Sequence, residues 1–64
     1  MTLYERRKAL GLSAEKVGKA VGVSQVTIWH YEKGTFQPKH YVAKKLAELY
    51  GCTIDEIYDQ EKGE

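Results

Sequence analysis

Gln25, Val26, Trp29, His30 and Lys33 are related by steps of three, four and seven, which puts them on one side of a helix if residues 25–33 form one. Their chemistry is that of recognition. A glutamine amide presents a donor beside an acceptor and can make two hydrogen bonds to the edge of adenine in a major groove. Valine or tryptophan can pack on a thymine methyl, and histidine can donate or accept at a base edge. Thr27 and Lys33 suit phosphates, as do the backbone amides that open such a helix. Trp29 has a second reading, as a core or dimer-contact residue with Val26 filling a gap, because large aromatics are usually covered.

Other chemistries find little support. His30, His40 and Cys52 are the soft metal ligands of the chain, and they stand far apart with no paired Cys or His, so no metal is expected. There is no glycine-rich phosphate loop and no arrangement that argues for a nucleophile with its base, so no cofactor and no enzyme activity are expected. One cysteine cannot form an internal disulfide and fits a reducing cytoplasm. No apolar run approaches the roughly 20 residues that span a bilayer. Glu5, Arg6, Arg7 and Lys8 stand where a signal peptide would need an apolar stretch. For sixty-four residues one small domain is expected, without a ligand-sensing second one.

The elements that would position the recognition face follow from caps and breakers. Thr2 with Glu5 is a capping box that opens a first helix ending near Gly11, with Leu3, Arg7 and Leu10 on one face. Ser13 caps a second helix over 14–21, whose buried positions are Val17 and Val21 with Gly18 and Ala20 beside them. Gly22 ends it, and Ser24 caps a third helix over 25–33, closed by Gly34. Val23, Ile28 and Tyr31 point from that helix and its start back to the core. Pro38 falls in the first turn of a fourth helix running to Tyr50, with Val42, Ala43, Leu46, Ala47, Leu49 and Tyr50 as its apolar residues. Thr53 and Glu56 box a short fifth helix bearing Ile54, Ile57 and Tyr58. No segment alternates in the manner of a strand.

A helix that stops at Gly22 and restarts behind Ser24 reads as a helix-turn-helix, whose second helix is free to enter a DNA groove. Gly22 gives the turn a residue that accepts a left-handed backbone. Gly18 lets two steeply crossing helices approach. Charge agrees with this. Residues 1–45 carry nine Lys/Arg against three acids, a net +6, whereas residues 46–64 carry one lysine against six acids, a net −5. A basic body with an acidic end fits a polyanion at one face, although a solvated mixed surface would also carry such charges.

With these residues in place, the chain resembles the phage-repressor (Cro/CI-type, Xre-like) family of DNA-binding domains. The matching residues are Arg7 to Ser13, Val17-Gly18, Val21 to Ser24, Thr27-Ile28, Tyr31 to Gly34, Pro38, Leu46-Ala47, Gly51 and Ile54 to Ile57. The resemblance implies an all-α fold, a single compact five-helix domain of the lambda-repressor-like helix-turn-helix type, over 1–59, with a polar acidic tail at 60–64. It implies base reading by Gln25, Val26 and His30, with Trp29 beside them. Backbone contacts fall to Ser24, Thr27, Lys33, Gly34 and Thr35, and the salt bridge of the family to Arg7 with Glu32. Two departures stand out. Ala14 replaces the glutamine that family members often use on phosphate, so a clamp must come from Lys16, Lys19 or backbone amides. Trp29 stands where the family is usually small or polar.

The resulting expectation is a sequence-specific regulator of transcription, of bacterial or phage origin and cytoplasmic. It would be a repressor that binds double-stranded operator DNA as a homodimer, with an interface at Ile57 and Tyr58. Two rivals remain open: an antitoxin that binds a toxin protein and autoregulates its operon, and an interaction module that uses Trp29 as a protein anchor.

Overall fold

A computed structural model describes residues 2–58; the expected tail at 60–64, and residue 59 of the expected domain, lie outside the described residues. Five helices follow one another: α1 (Leu3–Ala9), α2 (Ala14–Val21), α3 (Gln25–Lys33), α4 (His40–Tyr50) and α5 (Ile54–Tyr58). No described helix is long and apolar enough to cross a membrane.

Local hydrogen bonds explain most of the boundaries. The Thr2 hydroxyl accepts from the Glu5 amide at 3.1 Å, while the Glu5 carboxylate accepts from the Thr2 amide at 2.9 Å. Thr53 and Glu56 repeat the box, at 3.2 and 2.9 Å, before α5. Ser13 and Ser24 cap α2 and α3 through the amides of Lys16 and Thr27, both at 3.1 Å. At the other end of α2, Gly22 adopts φ +87° and its amide returns to the Gly18 carbonyl at 2.7 Å. Pro38 is placed differently from the sequence expectation. It precedes the N-cap Lys39 and lies outside α4, where it is buried and its carbonyl accepts from the Tyr58 hydroxyl at 2.8 Å.

The core gathers Leu3 of α1, Ala14, Val17 and Val21 of α2, Ile28 and Tyr31 of α3, Val42, Ala43, Leu46 and Ala47 of α4, and Ile57 of α5. Burying a side chain such as Ile28 or Leu46 stabilises the fold by about 1.5–3 kcal/mol, so a few large residues hold a small domain. Two periodicity assignments fail. Leu10, the C-cap of α1 just before the left-handed Gly11, is 50% exposed. Ala20 is exposed because the buried stripe of α2 runs through Ala14, Val17, Gly18 and Val21.

Gly18 carries the tightest approach. A Cβ built there would lie 2.5 Å from the carbonyl oxygen of Val23 and 3.2 Å from the carbonyl carbon of Ser24. What comes close is thus the backbone entering α3, which cannot yield as a flexible side chain can. The Gly18 carbonyl in turn accepts from the amides of Gly22 and Val23. One glycine therefore sets how the turn departs from α2, and with it the direction of α3.

Candidate nucleic-acid interface

α3 divides along its length. Ile28 and Tyr31 are buried, and Glu32 is drawn inward by Arg7 of α1. The guanidinium donates through Nε to Glu32 Oε2 at 2.6 Å and through Nη2 to Oε1 at 3.2 Å, and through Nη1 to the Leu12 carbonyl at 3.1 Å. Both side chains of the pair are 9% exposed. The hydrogen bonds that Arg7 donates to Glu32 raise its pKa further, outweighing the opposite effect of burial. Tyr50 lies in the same electrostatic neighbourhood, and burial, reinforced by the negative charge of Glu32, pushes its phenol up to about 12.

On the opposite side, Gln25 and Lys33 are exposed, Val26 is 53% exposed and Trp29 44%. The four stand on one ordered helix whose N-terminus is fixed by the Gly18 contact. A groove-reading surface needs such rigid presentation. His30 is less free than its spacing suggests. It is half-buried, and its ring lies 4.4 Å from that of Phe36 at an interplanar angle of 34°. Its Nδ1 is buried with no hydrogen-bond partner among the described residues.

The residues expected to touch the DNA backbone have some prior engagements. The hydroxyls of Ser24 and Thr27 bond each other at 2.9 Å. Lys19 meets Glu15 at 3.8 Å in a pair whose side chains are 79% and 65% exposed, which holds it only weakly. Lys16, Gly34 and Thr35 are exposed, and the Thr35 amide donates to the His30 carbonyl at 3.0 Å. Phe36, 52% exposed in the loop after α3, belongs beside this face and was missed. Its one available signal was a lone aromatic just past a glycine cap, which does not reveal the ring it stacks on.

The expected dimer contact needs correction. Ile57 is 1% exposed and packs within the core of its own chain, leaving no surface for a second copy. Tyr58 keeps 37% exposure even with its hydroxyl tied to Pro38. Tyr41, 64% exposed, lies with Tyr58 in the electrostatic surroundings of Tyr31. Cys52 packs against the core, and burial pushes its thiol pKa up, away from the reactive thiolate. Among the described residues, no three His, Cys, Asp or Glu are grouped to hold a metal.

Comparison with known proteins matches this arrangement. A helix-turn-helix family model fits residues 3–57. An HTH-type transcriptional regulatory protein of Saccharolobus islandicus is 41% identical over 63 residues, which is 95% of this chain and 20% of the relative. The cryptic phage CTXphi transcriptional repressor RstR from Vibrio cholerae is 44% identical over 46 residues, 72% of this chain and 41% of RstR. The chain thus spans about a fifth of the Saccharolobus relative and less than half of RstR. Among solved structures, the P22 c2 repressor in complex with a synthetic operator superposes with a TM-score of 0.83 at 31% identity. That match covers 86% of this chain and 83% of the repressor chain.

Proposed function

The chain belongs to the helix-turn-helix family, and on that premise we propose that it is a transcriptional regulator that binds double-stranded DNA sequence-specifically and represses as a homodimer in the cytoplasm. The observation that carries this reading is the division of α3. Ile28, Tyr31 and Glu32 bind it to the domain, while Gln25, Val26 and Trp29 are exposed on its other side. α3 enters the major groove. The Gln25 amide pairs with adenine N6 and N7, Val26 meets a thymine methyl, and His30, braced by Phe36, reaches a base edge one turn later. Lys16, Lys19, Lys33 and the Gly34–Thr35 loop take phosphates, along with Ser24 and Thr27 at the helix start.

Two copies would bind half-sites roughly 34–36 Å apart, as in other helix-turn-helix dimers. With Ile57 in the core, the second copy is assigned to the side bearing Tyr58 and Tyr41. The similarity to a repressor solved with its operator supports the DNA partner.

Selection of binding sites from random duplexes tests the reading directly. The expected result is a two-fold symmetric consensus whose affinity falls steeply with salt. An enriched but asymmetric single site would remove the dimer, and failure to enrich any duplex would remove DNA binding itself.

A further inference from the structure

The chain that leaves α3 folds back over the last turn of that helix and closes on His30. The left-handed Gly34 returns its amide to the Tyr31 carbonyl at 3.2 Å. The Thr35 amide donates to the His30 carbonyl at 3.0 Å, and the Phe36 amide lies 3.5 Å from the same oxygen. This pairing is the Schellman ending of a helix, which an apolar contact between the residues on either side of the glycine often accompanies. Here the contact is made by Phe36, and its partner is a polar ring. The two rings stand 4.4 Å apart, centroid to centroid.

Holding the helix end does not call for a histidine, and Phe36 keeps 52% of its surface in solvent. What the stack fixes is the imidazole. Nδ1 of His30 is buried and has no hydrogen-bond partner among the described residues, which leaves Nε2 as the nitrogen that can meet a ligand. A neutral imidazole carries one proton. On Nδ1 that proton would be a buried donor without an acceptor, rarer in proteins than an acceptor left short of a donor. The proton therefore belongs on Nε2, and the ring meets a ligand as a donor.

Among the bases, guanine has the matching edge. Its major-groove side carries two acceptors, N7 and O6, and no donor, whereas adenine and cytosine each present an amino group and thymine sets its O4 beside a methyl. We infer that Phe36 is a positioning residue for recognition: it holds His30 as a hydrogen-bond donor, and His30 thereby selects guanine at one position of each half-site. The inference rests on the DNA-binding reading above, in which His30 reaches a base edge. It narrows that histidine from donor or acceptor to donor alone, and gives the loop after α3 a part in specificity.

Two measurements test it. In the His40→Gln variant His30 is the sole imidazole, and long-range proton–nitrogen spectra in mildly alkaline buffer tell a protonated ring nitrogen from a bare one. The proton is expected on Nε2. The second measurement is competition between the selected operator and duplexes with each base pair exchanged in turn. His30→Ala is expected to lose preference at a single G·C pair by roughly 2- to 10-fold, the worth of one neutral hydrogen bond. Phe36→Ala is expected to relax the same pair, to add little on top of His30→Ala, and to leave affinity for a scrambled duplex unchanged. Phe36→Leu, which keeps an apolar cap without the ring, is expected to act like Phe36→Ala, and Phe36→Tyr to restore the preference. A Phe36 that served the helix end alone would shift every duplex alike.

A proton on Nδ1, a His30→Ala protein that relaxes no pair or a pair other than G·C, or a folded Phe36→Leu protein with wild-type preference overturns the inference and leaves DNA binding standing. A wild type that enriches no duplex overturns both.

Discussion

The inner and outer sides of α3 share nine consecutive residues and one backbone, yet they are built under opposite constraints. On the inner side every large group has a partner: Ile28 and Tyr31 sit in the core, and Glu32 holds Arg7 through two hydrogen bonds. On the outer side Gln25 is exposed, and Val26 and Trp29 keep about half of their apolar surface open to solvent. In the proposed DNA-binding reading, that exposed surface is the one kept for the partner. On the proposed reading, changes on the inner side are expected to act on the amount of folded protein, and changes on the outer side on what the folded protein binds.

The strongest way to break this division is at the ion pair. Arg7→Ala leaves Glu32 without its counter-charge in a nearly closed site, and a loss of about 3–5 kcal/mol in chemical denaturation is expected. Arg7→Met with Glu32→Leu together is expected to recover most of it, because a buried pair replaced by apolar residues of similar size is often neutral. Recovery of stability without recovery of DNA affinity would show that the pair also positions the outer face.

Gly18→Ala comes next. The added methyl would meet the Val23 carbonyl at 2.5 Å, and a loss of about 1–3 kcal/mol is expected as the turn shifts. Because the shift re-aims α3, operator affinity measured on the folded fraction is expected to fall too. A Gly18→Ala protein with wild-type affinity would separate the turn from recognition.

A pH series sharpens the inner side further. The Tyr50 phenol titrates near 12 in the fold against a reference value of 10.0. The fold favours the neutral phenol, so this contribution is fully present below about pH 10 and is lost as pH rises from there towards 12. The full span amounts to on the order of 2 kcal/mol. Denaturation at pH 8, 10 and 11 is expected to show this decline, and Tyr50→Phe to flatten it. A residual slope should remain from Tyr31, whose pKa burial also raises.

Least effect on folding is expected at Gln25→Ala, within about 0.5 kcal/mol, as for other exposed positions. The same change is expected to relax preference at one base pair by about 1–3 kcal/mol in competition binding. A large stability loss with intact base preference would reverse the assignment of the two sides.

Most helix boundaries were legible because their causes are local. Thr2 with Glu5, Ser13, Ser24, and Thr53 with Glu56 all act across three residues, and that spacing is visible in one dimension. The glycine turn and the exposed positions on α3 were legible for the same reason. Where the cause is distant, the reading slipped. Pro38 looked like a helix start, but its buried place is tied to Tyr58, twenty residues away. Ile57 looked available for a second copy until the packing of α5 on α4 put it in the core. The stacking of His30 on Phe36 had no periodic signature at all.

By itself, then, the sequence determined the number and order of the helices, the turn at Gly22 and which side of α3 faces away, since caps, left-handed glycines and helical periodicity are short-range. Tertiary structure alone decided that Gly18 packs on the backbone entering α3 and that Ile57 is inside. It also decided that Lys8, Ala14 and Trp29 line one open cleft. Each of these depends on how helices far apart in the chain are brought together, and that is settled by packing of the whole core.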